Sequence, residues 1–321
     1  MRRAGSRRRI SSPTKGRPTI GREGITLVQK TNCMHRFVLV ALLVGMPLMA
    51  AELQVDHVTV AGRDLGAMRR AFEAAGLVDE YGGPHANHAT EMALASFPDG
   101  SYLELIAIQP QADPAAVAAN QWHGCLEGDG GPCGWAVRPA DLTAEASRLR
   151  AAGVSVTAVM KSGRRRPDGV QLEWETAQVG RGNGNFFPFL IHDFTPRERR
   201  AYPSGKPTTT AFSGIVRVVL AVKDLDAAIA QYQQAYGLAA PQRQDDAGFG
   251  AKLAWFAGTP VILAAPAGPQ SWLAERLRRF GETPCAFVLG GAPAGQAGSK
   301  WFGKPVSWLA PDVLGWRLGV E

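Results

Sequence analysis

Apolar and polar positions repeat in one pattern three times along this chain. A short apolar strand runs within a few residues into Asp-Leu, an amphipathic helix follows, and a glycine stops it. The copies are Val55–Val60, Asp64-Leu65 and Gly76; Trp135–Val137, Asp141-Leu142 and Gly153; and Ile215–Val222, Asp224-Leu225 and Gly237. Self-similarity of this kind means a fold built from β-α units, each too small to bury its own apolar face.

The pattern within each copy predicts the remaining elements. Residues 52–60 alternate apolar and polar, the mark of a half-buried strand. Asp64 caps a helix that places Leu65, Met68 and Phe72 on one face. Thr90–Phe97 and Ser101–Ile108 form a hairpin across Pro98-Asp99-Gly100, so the first unit is β-α-β-β-β. Gln111–Asn120 reads as a short helix or linker. The second unit has a helix from about Asp141 to Ala152 and a strand at Val154–Val159. A basic turn at Ser162–Gly169 and strands at Val170–Gln178 and Phe186–His192 complete it.

Residues 196–213, polar and rich in Pro, Ser and Thr, read as an interdomain linker. The third unit starts at Gly214, with Leu225, Ile229, Tyr232 and Tyr236 on one helical stripe. Strands near Lys252–Phe256 and Pro260–Ala264 and a helix at Ser271–Phe280 follow. Pro284–Gly290 matches the first strand of a fourth unit, but no Asp-Leu helix comes after it. That unit is degenerate, with strands near Pro305–Leu309 and Trp316–Val320. The fold class is α+β: tandem β-α-β-β-β modules making two domains, 52–195 and 214–321, the second diverged.

Charge changes this picture only at the N-terminus. The chain carries +7 over its 321 residues, but residues 1–33 hold nine Lys/Arg and one acid, a net +8. The rest sums to −1, so the folded body lacks the electrostatic footprint of a nucleic-acid binder. Residues 1–33 read as a basic leader, disordered or untranslated if Met34 is the start. Residues 34–51 have the layout of a signal peptide: His35 and Arg36, the apolar run Phe37–Val44, Pro47, and small residues at Ala50 and Ala51. The run is shorter than the ~20 residues of a spanning helix. The expectation is a periplasmic or secreted protein whose mature chain has no stable membrane insertion. In such a compartment Cys125 and Cys133, eight apart in a glycine-dense loop, form a disulfide or remain two thiols; both readings stand.

Two residues stand out chemically. Glu104 lies between Leu103 and Leu105 in an apolar strand, and a buried, unpaired carboxylate is expensive, so it wants a donor, a cation or a ligand. His57 lies in the first strand of the same unit. With these residues the paired units resemble the vicinal-oxygen-chelate superfamily, and its glyoxalase-like branch most of all. The strings that carry the resemblance are Val55-Asp56-His57-Val58, Gly82-Gly83-Pro84-His85, Asp99 through Ile106, Ser162 through Gly169, and Pro188-Phe189-Leu190-Ile191. The resemblance implies a curled mixed sheet enclosing a cleft. In the family's metal enzymes each unit gives one ligand from its first strand and one from its fourth.

Here His57 and Glu104 match the first pair, and these donors suit Zn, Mn, Fe or Ni. The second pair departs: the residue seven before Asp141 is Gly134, and the fourth strand is apolar around Phe189–Ile191. His192 is the candidate substitute ligand. His85 and His88 on the Gly-Gly loop, and Arg165 and Arg166 in the basic turn, are candidate ligand-binding residues, and Glu104 is the candidate catalytic one. Two functions remain open for a cleft that takes a small molecule. One is a lyase, isomerase or dioxygenase relative using one divalent ion; the other is a resistance-type protein that binds without catalysis. The preserved His57–Glu104 pair favours the first and the incomplete ligand set the second.

Overall fold

The structure is a computed structural model, and it describes residues 53–180, 185–292, 298–310 and 314–321. The leader and signal-peptide readings therefore lie outside the described residues. The first half runs β1 (Val55–Ala61), α1 (Leu65–Ala74), β2 (Glu80–Pro84), β3 (Thr90–Ser96), β4 (Tyr102–Ile108), α2 (Pro114–Ala118), α3 (His123–Gly128), β5 (Gly131–Val137), α4 (Leu142–Ala151), β6 (Met160–Arg165), β7 (Gln171–Ala177) and β8 (Phe189–Asp193). After α5 (Arg197–Ala201) the second half runs β9 (Phe212–Ala221), α6 (Leu225–Tyr236), β10 (Gln242–Asp246), β11 (Ala251–Trp255), β12 (Val261–Pro266), α7 (Trp272–Phe280), β13 (Pro284–Gly291), β14 (Ser299–Trp301), β15 (Lys304–Trp308) and β16 (Arg317–Val320). Each half forms an eight-stranded sheet: β2-β3-β4-β1-β5-β8-β7-β6 and β10-β11-β12-β9-β13-β16-β15-β14.

The repeated motif is built by the same chemistry each time. Asp64, Asp141 and Asp224 accept hydrogen bonds from the backbone N–H of Ala67, Ala144 and Ala227, which satisfies a donor that a helix start leaves free. Gly76, Gly153 and Gly237 then take the left-handed φ that ends each helix (81°, 82° and 64°). Each sheet is symmetric about its central antiparallel pair. In the first, β1 pairs β5 antiparallel, β1 pairs β4 in parallel, and β5 pairs β8 in parallel. Alternation sends Val58, Val60, Leu103 and Leu105 to the helix-covered face, in one core with Leu142 and Leu149. The other set, His57, Tyr102 and Glu104, lines a cavity.

Four readings change. The strand expected at Val154–Val159 is only an isolated bridge, Val156 to Val179, and the edge strand is β6, from Met160. The turn is accordingly tighter than Ser162–Gly169: Gly169 N–H donates to Arg166 C=O at 2.9 Å, around Pro167-Asp168. A lysine- and arginine-bearing edge strand resembles a loop in sequence because edges are kept charged. The Gly-rich stretch after Asn120 contains α3 and the start of β5 rather than loop alone. Residues 196–213 contain α5, and Arg200, Ala201 and Thr209 are buried against the first sheet. β13 ends at Gly291 and β14 begins at Ser299, which leaves no room for a ten-residue helix like α1. Cys125 and Cys133 are buried free thiols. No helix of the described residues is long and apolar enough to cross a membrane.

Candidate functional site

The concave face of the first sheet holds a cavity of about 310 Å³. Its lining follows the two-residue period of the strands. Met92 and Leu94 come from β3, Tyr102 and Glu104 from β4, Ser162 and Arg164 from β6, Trp174 and Thr176 from β7, Phe189 and Ile191 from β8. His85, Asn87 and Trp122 enter from loops.

His57 is held from behind. Its Nδ1 lies 2.5 Å from Asp56 Oδ1, and its ring stacks on Tyr102 with centroids 4.9 Å apart. Asp56 is fully buried and falls where the β1–β5 register slips, which turns it towards α5. There Arg197 Nη1 donates to Asp56 Oδ2 at 2.5 Å, and Arg200 Nη2 donates to the same oxygen at 2.8 Å. Arg200 also donates to the Tyr102 hydroxyl at 2.7 Å and to Asp193 at 2.9 Å. Burial pushes the Asp56 carboxyl up, but Arg200 and Arg197 outweigh it and hold it well below the usual carboxylate range.

Glu104 faces the ring from across the cavity. His57 Nε2 is 3.7 Å from its Oε2 and His85 Nε2 is 3.4 Å from its Oε1. The other nitrogen of His85 shares a hydrogen bond of 2.7 Å with Thr90 Oγ1. Burial raises the Glu104 carboxyl, yet contact with His85 and the charges of His57, His85 and Arg164 bring it down to about 2. Arg164 Nη1 donates to Gly82 C=O at 2.7 Å, tying edge strand β6 to edge strand β2.

Of the residues singled out in the sequence, the structure brings His57, His85 and Glu104 together. The others lie elsewhere. His88 is exposed in a turn, with φ of 56°. Arg165 is exposed, because alternation gives the inward place to Arg164. Arg166 pairs with Asp168 and donates to the Arg199 carbonyl at 2.9 Å, which bolts the β6–β7 turn to α5. His192 follows the inward-facing Ile191 in β8 and does not line the cavity. Sequence reasoning missed Arg197 and Arg200 because they sit in a segment read as linker. Their spacing of three, just after a strand ending in Asp193, was the available signal.

Residues 55–217, just over half of the chain, match the family model of a glyoxalase-like domain. The chain belongs to this family. No curated protein matches it. Among solved structures, this glyoxalase-like protein is similar to a hypothetical protein from Staphylococcus aureus. That likeness has 15% identity and a TM-score of 0.59, and covers 84% of this chain and 99% of the other. It is also similar to a mutant of 4-hydroxymandelate synthase from Streptomyces coelicolor, at 12% identity and TM-score 0.51, over 75% of this chain and 71% of that one. Both are likenesses of fold, and they support the vicinal-oxygen-chelate architecture.

The four-point site of the superfamily's metal enzymes can be compared with this glyoxalase-like protein position by position. The β1–β4 register sets Thr59 beside Glu104, and the β5–β8 register sets Ala136 beside Phe189. Since Gly134 answers His57, Ala136 answers Thr59 and Phe189 answers Glu104. A side chain at Gly134 would meet Trp122: its Cβ would lie 2.9 Å from the indole Nε1. The second pair of places thus holds a phenyl ring and an indole-covered glycine, and neither supplies a donor lone pair. Among the described residues, no group of three or more His, Cys, Asp and Glu side chains is arranged to hold a metal ion. The residues present do not fit a four-ligand metal site of that kind.

Proposed function

We propose that this protein binds a small organic molecule in the cavity of its first sheet, holding it by side chains, and that it does so after export. The observation that carries the reading is Glu104, a carboxylate on the cavity wall held at about 2 beside two imidazoles and Arg164. Such a group stays ionised at any physiological pH. It accepts hydrogen bonds from a ligand well and is a poor general base, because a base works best with a pKa near the working pH. The cavity volume suits a small ligand. A metal-assisted lyase, isomerase or dioxygenase reaction has less support, since two of its four ligand places carry Gly134 and Phe189. The proposal of export rests on residues 34–51. N-terminal sequencing of protein from the exported fraction checks it, and a mature chain still starting at Met1 or Met34 refutes it.

A thermal-shift screen of the purified protein against small amines, alcohols, phenols and carboxylic acids tests the binding. Hits should lose their shift in Glu104→Gln. A panel of hits indifferent to Glu104→Gln would remove the cavity from consideration.

A second reading rests on one contact, the 2.5 Å approach of Asp56 to His57 Nδ1. It orients the ring and leaves Nε2 facing the cavity, the arrangement of a proton-transfer catalyst. Incorporation of deuterium from solvent into a bound hit, abolished by His57→Gln, would favour it over binding alone.

A further inference from the structure

We infer that Trp122 and Phe189 determine the specificity of this cleft: they stand where a metal-binding relative carries its second ligand pair, and form an aromatic wall for the ligand there. This rests on the cleft being the binding site and names what its far half recognises, the planar apolar part of the ligand.

Three observations carry the inference. The first is register: Phe189 occupies the place that answers Glu104, and Gly134 the place that answers His57. The second is the indole itself. Trp122 is fixed at the start of α3, where its backbone N–H donates to Asn120 Oδ1 at 2.9 Å. Its ring covers Gly134, and with Trp174 it packs on Ala136, Phe189 and Ile191 in one cluster. Phe189 in turn meets the His57 ring edge-on, with centroids 5.3 Å apart. The third is an orphaned donor. Trp122 Nε1 is buried without a hydrogen-bond partner, an arrangement that native interiors seldom keep. A metal-binding side chain at residue 134 would require this indole to leave. A ligand facing the wall gains ring stacking and edge contacts on one side, while Glu104 accepts its hydroxyl or amine hydrogen on the other.

The experiment has a metal arm and an aromatic arm. Cobalt(II) is titrated into wild type and into the triple variant Trp122→Ala/Gly134→His/Phe189→Glu, with visible absorption as readout. Gly134 has no left-handed φ, so histidine suits its backbone. Wild type should show no cobalt band that depends on His57, whereas the triple variant should gain a stoichiometric one that an added His57→Ala removes. Stoichiometric, His57-dependent cobalt binding by wild type overturns the inference. So does a triple variant that folds by circular dichroism and gains nothing.

In the aromatic arm 2-naphthol is titrated by fluorescence. Its affinity should fall at least tenfold in Trp122→Ala, or in Trp122→Leu should the alanine variant fail to fold. Equal binding by these variants, or none by wild type, overturns the aromatic wall. In either case, library hits that still depend on Glu104 would leave the cleft reading standing. A library with no hits would defeat that reading separately.

Discussion

Two sheets of identical strand order share this chain, yet one keeps its concave face open and polar while the other fills it. In the second sheet Arg217 answers His57 and Ile262 answers Glu104, while Ala286 and Gly319 hold the remaining two places. A side chain at Gly319 would run into Val306 at 2.8 Å and Trp308 at 3.1 Å. Phe249, Trp301, Trp308 and Leu273 of α7 pack over this face with Val219, Ile262 and Ala286 in one apolar cluster. Arg217 is turned to structural use, paired with Glu321 at 2.5 Å and lying 4.3 Å from the centre of the Trp255 ring. The first sheet's second half has gone part of the same way, with Trp122 over Gly134. Indole over glycine closes a ligand place in both sheets. Only the half carrying His57 and Glu104 keeps an imidazole and a carboxylate at these places.

The largest effect should come from the charge cluster that holds the open face. Arg200→Ala leaves Asp56 buried beside one arginine fewer and strips Asp193 and the Tyr102 hydroxyl of a donor. Removing one partner of a buried ion pair costs about 3–5 kcal/mol. Urea denaturation should show that loss, and hits from the library screen should bind more weakly because His57 loses its backing. A stability change below about 1 kcal/mol would mean that α5 is not part of this site.

A similar loss of stability without a loss of binding is expected from the filled face. Phe249 is fully buried, with ring centroids 5.1, 5.0 and 5.3 Å from those of Trp272, Trp301 and Trp308. Phe249→Ala should cost about 3–5 kcal/mol through the cavity it leaves. First-sheet hits should keep their affinity in the folded variant. If their affinity falls in step with stability, the two faces are coupled and the contrast between them is too simple.

The contrast was legible in the sequence to the extent that it rests on local rules. Asp64, Asp141 and Asp224 announce helix starts, and Gly76, Gly153 and Gly237 announce their ends, because caps depend on a few adjacent residues. His57 and Glu104 were visible as polar residues inside apolar strands. Arg164 was not, since its strand lies at a sheet edge and is as polar as a turn. Arg200 was not, since its partners Asp56 and Tyr102 are about a hundred residues or more away and nothing local marks their meeting. The closure of Gly134 by Trp122 was hidden for a different reason. A missing side chain shows in the sequence, but what fills its space is a matter of packing.

The smallest predicted effect is a pH dependence confined to the open face. Glu104 is shifted from its ordinary 4.5 to about 2 in the folded protein. Its carboxylate therefore stabilises the fold above pH 4.5, and that contribution is lost as pH falls from 4.5 through about 2. Linkage puts the effect at no more than about 3–4 kcal/mol. Gln cannot titrate, so the wild-type advantage over Glu104→Gln should be full at pH 7 and shrink steadily below pH 4.5. The second sheet has Ile262 at the matching place, so Ile262→Val should lower stability by the same amount at every pH. Parallel urea curves for wild type and Glu104→Gln from pH 7 down to pH 3 measure the difference. A constant gap across that range would show that Glu104 is not held ionised by His85, His57 and Arg164, and the electrostatic account of the open face would fall with it.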